Sequence, residues 1–89
     1  MIVLITGASS GFGEEMARKF VRNGQMVIAT ARRSDKLSSL QAELGASLLP
    51  LTLDVTDRAS IKEALAALPE KWKEIDVLIN NAGLALGIE

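Results

Sequence analysis

Four short aliphatic runs punctuate the chain, at Ile2–Thr6, Met26–Thr30, Leu48–Leu53 and Val77–Asn80. Three of them are almost continuously apolar rather than alternating, the pattern of strands covered on both faces in a parallel sheet sandwiched by helices. Three amphipathic stretches lie between the runs. Over Gly11–Asn23, Phe12, Met16 and Phe20 recur every fourth residue and define one face. Glu14, Glu15, Arg18, Lys19 and Arg22 fall mostly elsewhere, and Glu14–Arg18 and Glu15–Lys19 stand at the supportive i,i+4 spacing. Asn23-Gly24 supplies the stop. The second stretch, Ser34–Leu44, takes Ser34 or Asp35 as its cap, Leu37, Leu40 and Leu44 as its stripe and Gly45 as its end. The third, Asp57–Leu68, carries Ile61, Leu65 and Leu68 on one side and is closed by Pro69.

The predicted order is β-α-β-α-β-α-β. Alternation at this spacing reads as α/β, with parallel βαβ units, right-handed crossovers and helices on both faces of one sheet. A doubly wound sheet of strand order 3-2-1-4 places the third strand at an edge. Pro50 lies in that run, and a proline, lacking a donor, belongs at an edge or a bulge. Val77-Leu78-Ile79 reads as a strand buried on both faces with neighbours on both sides, yet only Leu84–Glu89 remain after the turn that follows it. The expectation is one domain over 1–89 that is the N-terminal half of a larger, truncated unit, unless something else covers the fourth strand.

Composition narrows the function classes. With 48% hydrophobic and 24% charged residues, the 89-residue chain is globular rather than disordered. At this length its core is thin, with only roughly 60–65% of the unfolded surface hidden on folding. A net charge of −1 gives no reason to expect a nucleic-acid partner. The absence of cysteine and histidine excludes disulfides, thiolate or imidazole metal sites and a Ser-His-Asp triad within these residues. Ile2–Ile5 is too short for a signal-peptide core, and no apolar stretch approaches the roughly 20 residues of a membrane span. The expected location is cytoplasmic, with no membrane partner.

Candidate chemistry gathers where the strands end. Thr6-Gly7-Ala8-Ser9-Ser10-Gly11-Phe12-Gly13 follows the first strand and opens the first helix. Gly7 permits a tight turn. Gly11 and Gly13 let backbone approach a ligand and let helix pack close on strand. The N–H groups at the helix start, with the helix dipole, form an anion site suited to a pyrophosphate. No Gly-Lys-Ser/Thr follows, so the loop is not a P-loop, and glycines at 7, 11 and 13 also miss the G-x-G-x-x-G spacing. The competing reading is a turn needing positive φ. Beyond the second strand, where a binder of NAD offers an acid for the ribose hydroxyls, stand Arg32 and Arg33. Guanidinium groups fork onto a phosphate and a carboxylate there would repel one, so the pair favours NADP over NAD; the other reading is two solvated loop arginines. Asp54-Val55 follows the third strand, and Asp54 is either an acceptor for an adenine amino group or a pre-helix loop residue. Asn80-Asn81-Ala82-Gly83 follows the fourth and either lines the crevice or is a plain turn.

Jointly these motifs resemble the short-chain dehydrogenase/reductase family over the whole chain. Thr6–Gly13 matches its T-G-x-x-x-G-x-G loop, Asp54-Val55 its adenine-side dipeptide and Asn80–Gly83 its N-N-A-G turn. Gly-Phe-Gly-Glu at 11–14, Ala-Arg-Arg at 31–33 and the segment 80–87 are similar to the bacterial NADP-dependent 3-hydroxy acid dehydrogenases, which act on serine, allo-threonine and related substrates. The resemblance implies a Rossmann-type fold and an oxidoreductase that moves hydride between NADP(H) and a small 3-hydroxy acid or carbonyl compound, with a homo-oligomer as the complete protein. It assigns Gly7, Ala8, Ser9, Ser10, Gly11, Phe12 and Gly13 to the cofactor cradle and Arg32 and Arg33 to the 2′-phosphate. Asp54 and Val55 go to the adenine side, Asn81 to the nicotinamide-side ribose region, and Ala82 and Gly83 to the cofactor crevice, with Asn80 bracing the sheet.

One departure bears on catalysis. The family's proton donor is a tyrosine in a Tyr-x-x-x-Lys helix, and these residues contain no tyrosine. Hydride transfer needs a polarised carbonyl and a nearby acid, which this chain does not assemble, so no catalytic residue is expected in it. Two alternatives stand: the cofactor-binding half of an active enzyme, or an inactive NADP(H)-binding remnant with a role in assembly or regulation.

Overall fold

The computed structural model describes residues 1–54 and 56–81; Val55, Ala82 and Gly83 among the expected site residues lie outside them. Among the described residues four strands, β1 (Ile2–Ile5), β2 (Met26–Ala31), β3 (Leu48–Thr52) and β4 (Val77–Ile79), alternate with three helices, α1 (Gly11–Arg22), α2 (Ser34–Leu44) and α3 (Arg58–Ala66). Single 3-10 turns at Gly45–Ser47 and Glu70–Trp72 complete the order. The sheet is parallel with order β3-β2-β1-β4, as the pattern requires. Pro50 lies in β3, the edge strand among the described residues, where its missing donor faces away from β2.

Side chains alternate between two clusters. Val3 and Ile5 from β1 and Val27, Ala29 and Ala31 from β2 pack with Leu48 under α1 and α2, against Ala17, Leu37 and Leu40. Ile2, Leu4 and Ile28 point the other way, onto Leu68 and Trp72 beyond the end of α3. Both faces of β1 and β2 are therefore apolar, which is why these runs do not alternate in sequence.

The helix ends follow local chemistry. Ser10 caps α1, its hydroxyl accepting from the Gly13 amide at 3.1 Å, while Glu14 sits in the first turn and Lys19 and Arg22 in the last, each complementing the helix dipole. At the other end Gly24 has φ 84, its N–H reaches the Val21 carbonyl and that of Gln25 reaches Phe20, the paired closure that a left-handed glycine makes possible. Asp57 caps α3 through the Ser60 amide.

Four expectations shift. The buried line of α1 runs through Gly13 and Ala17, whereas Phe12 is 66% exposed and Met16 and Phe20 are half-buried. Close approach of helix to sheet at Gly13 needs small residues on the contact line, so the large ones flank it. The residue preceding α2 is Arg33, with no side-chain cap bond, so Ser34 and Asp35 are already helical and Asp35 complements the dipole rather than capping the helix. α3 ends at Ala66 rather than Leu68, because Pro69 opens the 3-10 turn that buries Trp72 instead of closing the helix directly. Lastly, β4 pairs only with β1 among the described residues; Val77 and Ile79 are half-buried under the α1 side, and Leu78, on the opposite face, is 63% exposed.

Candidate cofactor-binding site

Parallel strands deliver all their carboxyl ends to one edge of the sheet, so the segments after β1, β2, β3 and β4 meet there. The strand order reverses direction at β1, which places the turn after β1 at the crevice where open α/β sheets take ligands. The glycine loop is tied to its neighbours on both sides. The Ala8 amide donates to the Thr30 carbonyl at 2.9 Å, and the Thr6 amide to the Ile79 carbonyl at 3.0 Å. Leu53 donates to Ala31 at 2.9 Å, which draws the Asp54 segment to the end of β2 beside Arg32.

Three glycines in the loop answer three different needs. Gly7 has φ 64, a left-handed turn that a side chain rarely adopts. Gly13 is buried, and a Cβ there would stand 2.5 Å from the Gly7 carbonyl oxygen, 2.9 Å from the Ala8 Cα and 3.1 Å from Asn81 Nδ2. Gly11 is exposed, with nothing within 4 Å of where its Cβ would be. The turn explains Gly7 and the packing explains Gly13. Gly11 leaves an open approach to the start of α1, where unpaired amide donors and the positive end of the dipole face outward. Of the other loop residues, Ala8 is buried, Ser9 half-buried, and Ser10 and Phe12 exposed.

Arg32 and Arg33 are both exposed at the end of β2. The one ion pair of Arg33 among the described residues, to Asp35, is long at 3.9 Å, and Arg32 has none, so both guanidinium groups are open to an added anion. Asp54 is half-buried. Its Oδ1 accepts from the Thr56 hydroxyl at 2.7 Å and the Thr56 amide at 2.9 Å. Those two bonds, with a smaller attraction from Arg32, hold its carboxyl below the usual aspartate range. Asn81 is buried, and its amide donates to the Gly7 carbonyl and to the Ser10 hydroxyl, each at 3.0 Å. Asn80 accepts from the Thr6 hydroxyl at 3.1 Å.

The reading of the sequence missed two threonines. Thr30 is fully buried, its hydroxyl donating to the Ile5 carbonyl at 3.1 Å, so it joins β2 to β1 directly beneath the loop. A hydroxyl within an aliphatic strand run was the available signal. Thr56 organises Asp54, and the Asp-x-Thr spacing of a side-chain-closed turn announces it. A surface groove of about 250 Å³ between α1 and α2, lined by Glu14, Arg18, Lys36, Ser39, Leu40 and Glu43, includes none of the expected site residues. Among the described residues no helix is long and apolar enough to cross a membrane, and no cluster of acidic side chains could hold a metal.

The family model of the short chain dehydrogenases matches residues 1–88. The chain belongs to that family. As a short-chain dehydrogenase sequence it is 60% identical, over all 89 residues, to the NADP-dependent 3-hydroxy acid dehydrogenase of Salmonella typhi, and it spans 36% of that relative's length. It is 53% identical over 85 residues, 96% of the chain, to the serine 3-dehydrogenase of Agrobacterium fabrum, covering 34% of it. The closed form of a serine dehydrogenase complexed with NADP+ superposes with a TM-score of 0.85 at 52% identity, over 88% of this chain and 32% of that one. The short-chain dehydrogenase chain described here thus spans about a third of the length of these relatives.

Proposed function

We propose that these residues bind NADP(H) as the cofactor half of an oxidoreductase that moves hydride to or from a small 3-hydroxy acid or carbonyl substrate. The observation that carries the reading is the shared edge: an anion-binding helix start with an open approach at Gly11 lies beside two exposed arginines that no strong ion pair occupies. An adenine dinucleotide bearing a 2′-phosphate presents two anionic groups, and this edge offers two cationic or dipolar receivers. The loop amides of Gly7 to Gly13 would hold the pyrophosphate, Arg32 and Arg33 the 2′-phosphate, and Asp54 the adenine side. When bound, the nicotinamide ring supplies or accepts the hydride. The names of the Salmonella and Agrobacterium relatives support the cofactor and the substrate class.

Isothermal calorimetry on the full chain tests the proposal. NADPH should bind more tightly than NADH by roughly tenfold or more, the range expected for charge-assisted bonds to one phosphate. Arg32→Ala with Arg33→Ala should erase the difference. Equal affinities in the unaltered chain would defeat the reading. A second reading, an NADP(H)-binding remnant acting in assembly or regulation, is favoured by the absence of tyrosine and histidine, which leaves no evident proton donor for a carbonyl. On either reading the 89 residues alone turn over no hydroxy acid; sustained NADP+ reduction by the pure chain would overturn both.

A further inference from the structure

The loop amides are useful to a pyrophosphate only if they are already aimed, and the structure contains a device that aims them. The Ser10 hydroxyl donates to the Gly7 carbonyl at 3.0 Å and accepts from the Gly13 amide at 3.1 Å and from Asn81 Nδ2 at 3.0 Å. A hydroxyl has one proton and two lone pairs, so Ser10 is saturated and no proton of it is left for a phosphate. Asn81 Nδ2 has two protons, and both are used, the second on the Gly7 carbonyl at 3.0 Å. That carbonyl also takes the Ser10 amide at 3.2 Å. Gly13 closes the fourth side, its bare Cα leaving just enough room for the Asn81 amide. Four residues from three places in the fold, the turn after β1, the start of α1 and the end of β4, form one closed knot.

We infer that Asn81 and Ser10 are positioning residues that hold the loop in its ligand-binding shape before any cofactor arrives, and that their side chains do not themselves touch phosphate. The inference rests on the dinucleotide-binding reading of the loop. A loop already ordered loses little entropy on binding. Once the knot is cut, only a fraction of molecules present aimed amides, and apparent affinity falls by that fraction. The knot faces the part of the ligand that NADP and NAD share. Cutting it therefore lowers both affinities by one factor, whereas the arginines act on their ratio.

The test uses the full chain with Asn81→Ala, Ser10→Ala, the double variant and Asn81→Asp, each confirmed folded by circular dichroism. NADPH and NADH affinities are measured by calorimetry, and amide hydrogen exchange is followed without ligand. Each single alanine variant should lose roughly tenfold in affinity for both cofactors, the scale of one or two net hydrogen bonds, with the NADPH-to-NADH ratio unchanged. The double variant should lose little more than either single, because both cut one network. Asn81→Asp keeps the shape but cannot donate to Gly7, so it should fail as Asn81→Ala does. Exchange at the Ser10 and Gly13 amides, both bonded within the knot, should speed up by a similar factor while α2 keeps its protection. Unchanged affinity and exchange in either single variant, additive losses, or a changed ratio would each overturn the inference. If the Asn81 variants do not fold, Ser10→Ala, made at an exposed residue, decides alone. If the unaltered chain binds neither cofactor, the functional reading falls, and the exchange measurement still decides whether the knot holds the loop.

Discussion

Alanine at position 13 is the sharpest perturbation the loop offers. Gly13 is not at positive φ, so the only objection to a side chain there is space. The added methyl would stand 2.5 Å from one backbone atom and 2.9 Å from another. Favourable carbon contacts lie near 3.5–4.0 Å, so the methyl is about 1 Å too close to atoms that cannot swing aside. Overpacking of this kind costs about 1–3 kcal/mol, and rigid neighbours on two sides put this case at the upper end. Glycine to alanine returns about 1 kcal/mol of helix propensity in a helix interior, and less in a first turn. The net expectation is a loss of about 2 kcal/mol, hence a melting temperature lower by about 8–16 °C for a domain of this size. Trp72, the single tryptophan and 4% exposed, lies on the opposite face of the sheet, and its fluorescence reports global unfolding in urea. Gly11→Ala is the matched control. With nothing within 4 Å, it should leave stability unchanged or slightly raised while weakening NADPH binding, because the methyl occupies the open approach. If the two variants unfold at the same urea concentration, the account of why each glycine is there is wrong.

Thr30→Val keeps shape but replaces the buried hydroxyl that donates to the Ile5 carbonyl; a loss of about 1 kcal/mol is expected, read as a lower urea midpoint at unchanged slope. Acid stability should depend on Glu43 and Asp54. The Glu43 carboxyl is held below its ordinary value chiefly by its bond from Arg18 Nε at 2.8 Å, and Asp54 chiefly by the Thr56 hydroxyl. Both are depressed in the folded state. Their contribution is therefore full above the unfolded carboxylate values near pH 4 and is lost as pH falls through the lower folded values. Urea midpoints between pH 6 and pH 2 should fall less steeply in Glu43→Gln than in the unaltered chain, and an identical slope would contradict the assignment. Glu43 is exposed and Asp54 only half-buried, so the effect is small and shrinks with salt.

The strand order was legible because it follows from few facts: four apolar runs, helical spacers of crossover length and a proline that has to lie at an edge. The clustering of Gly7, Arg32, Asp54 and Asn81 at one edge was legible for the same reason, since parallel strands end together. Packing detail was not. Periodicity marked Phe12 as part of the buried stripe of α1, but which helical face meets the sheet is set by the smallest residues on it, and at Gly13 that depends on contacts with Gly7, Ala8 and Asn81, the last 68 positions away. Trp72 carried no periodic signal at all. Its burial comes from a 3-10 turn that Pro69 starts, beneath a face that α3 itself covers only with half-buried side chains.

The competing explanation of the loop, a turn that simply needs positive φ, can now be weighed residue by residue. It accounts for Gly7 and for nothing else, since neither Gly11 nor Gly13 is at positive φ. Gly13 is explained by the close packing of the helix start on Gly7, Ala8 and Asn81, not by its φ. Gly11 is explained by neither: it lies in the first turn of a helix, where alanine is the better former, and no described atom crowds it. A residue that weakens its own helix and packs against nothing makes sense where backbone has to stay open to an incoming group. The charges support the same proposal. The start of α1 and the two arginines beyond β2 are separate positive features on neighbouring strand ends, and a ligand with two separated anionic groups satisfies both, whereas a single phosphate satisfies only one.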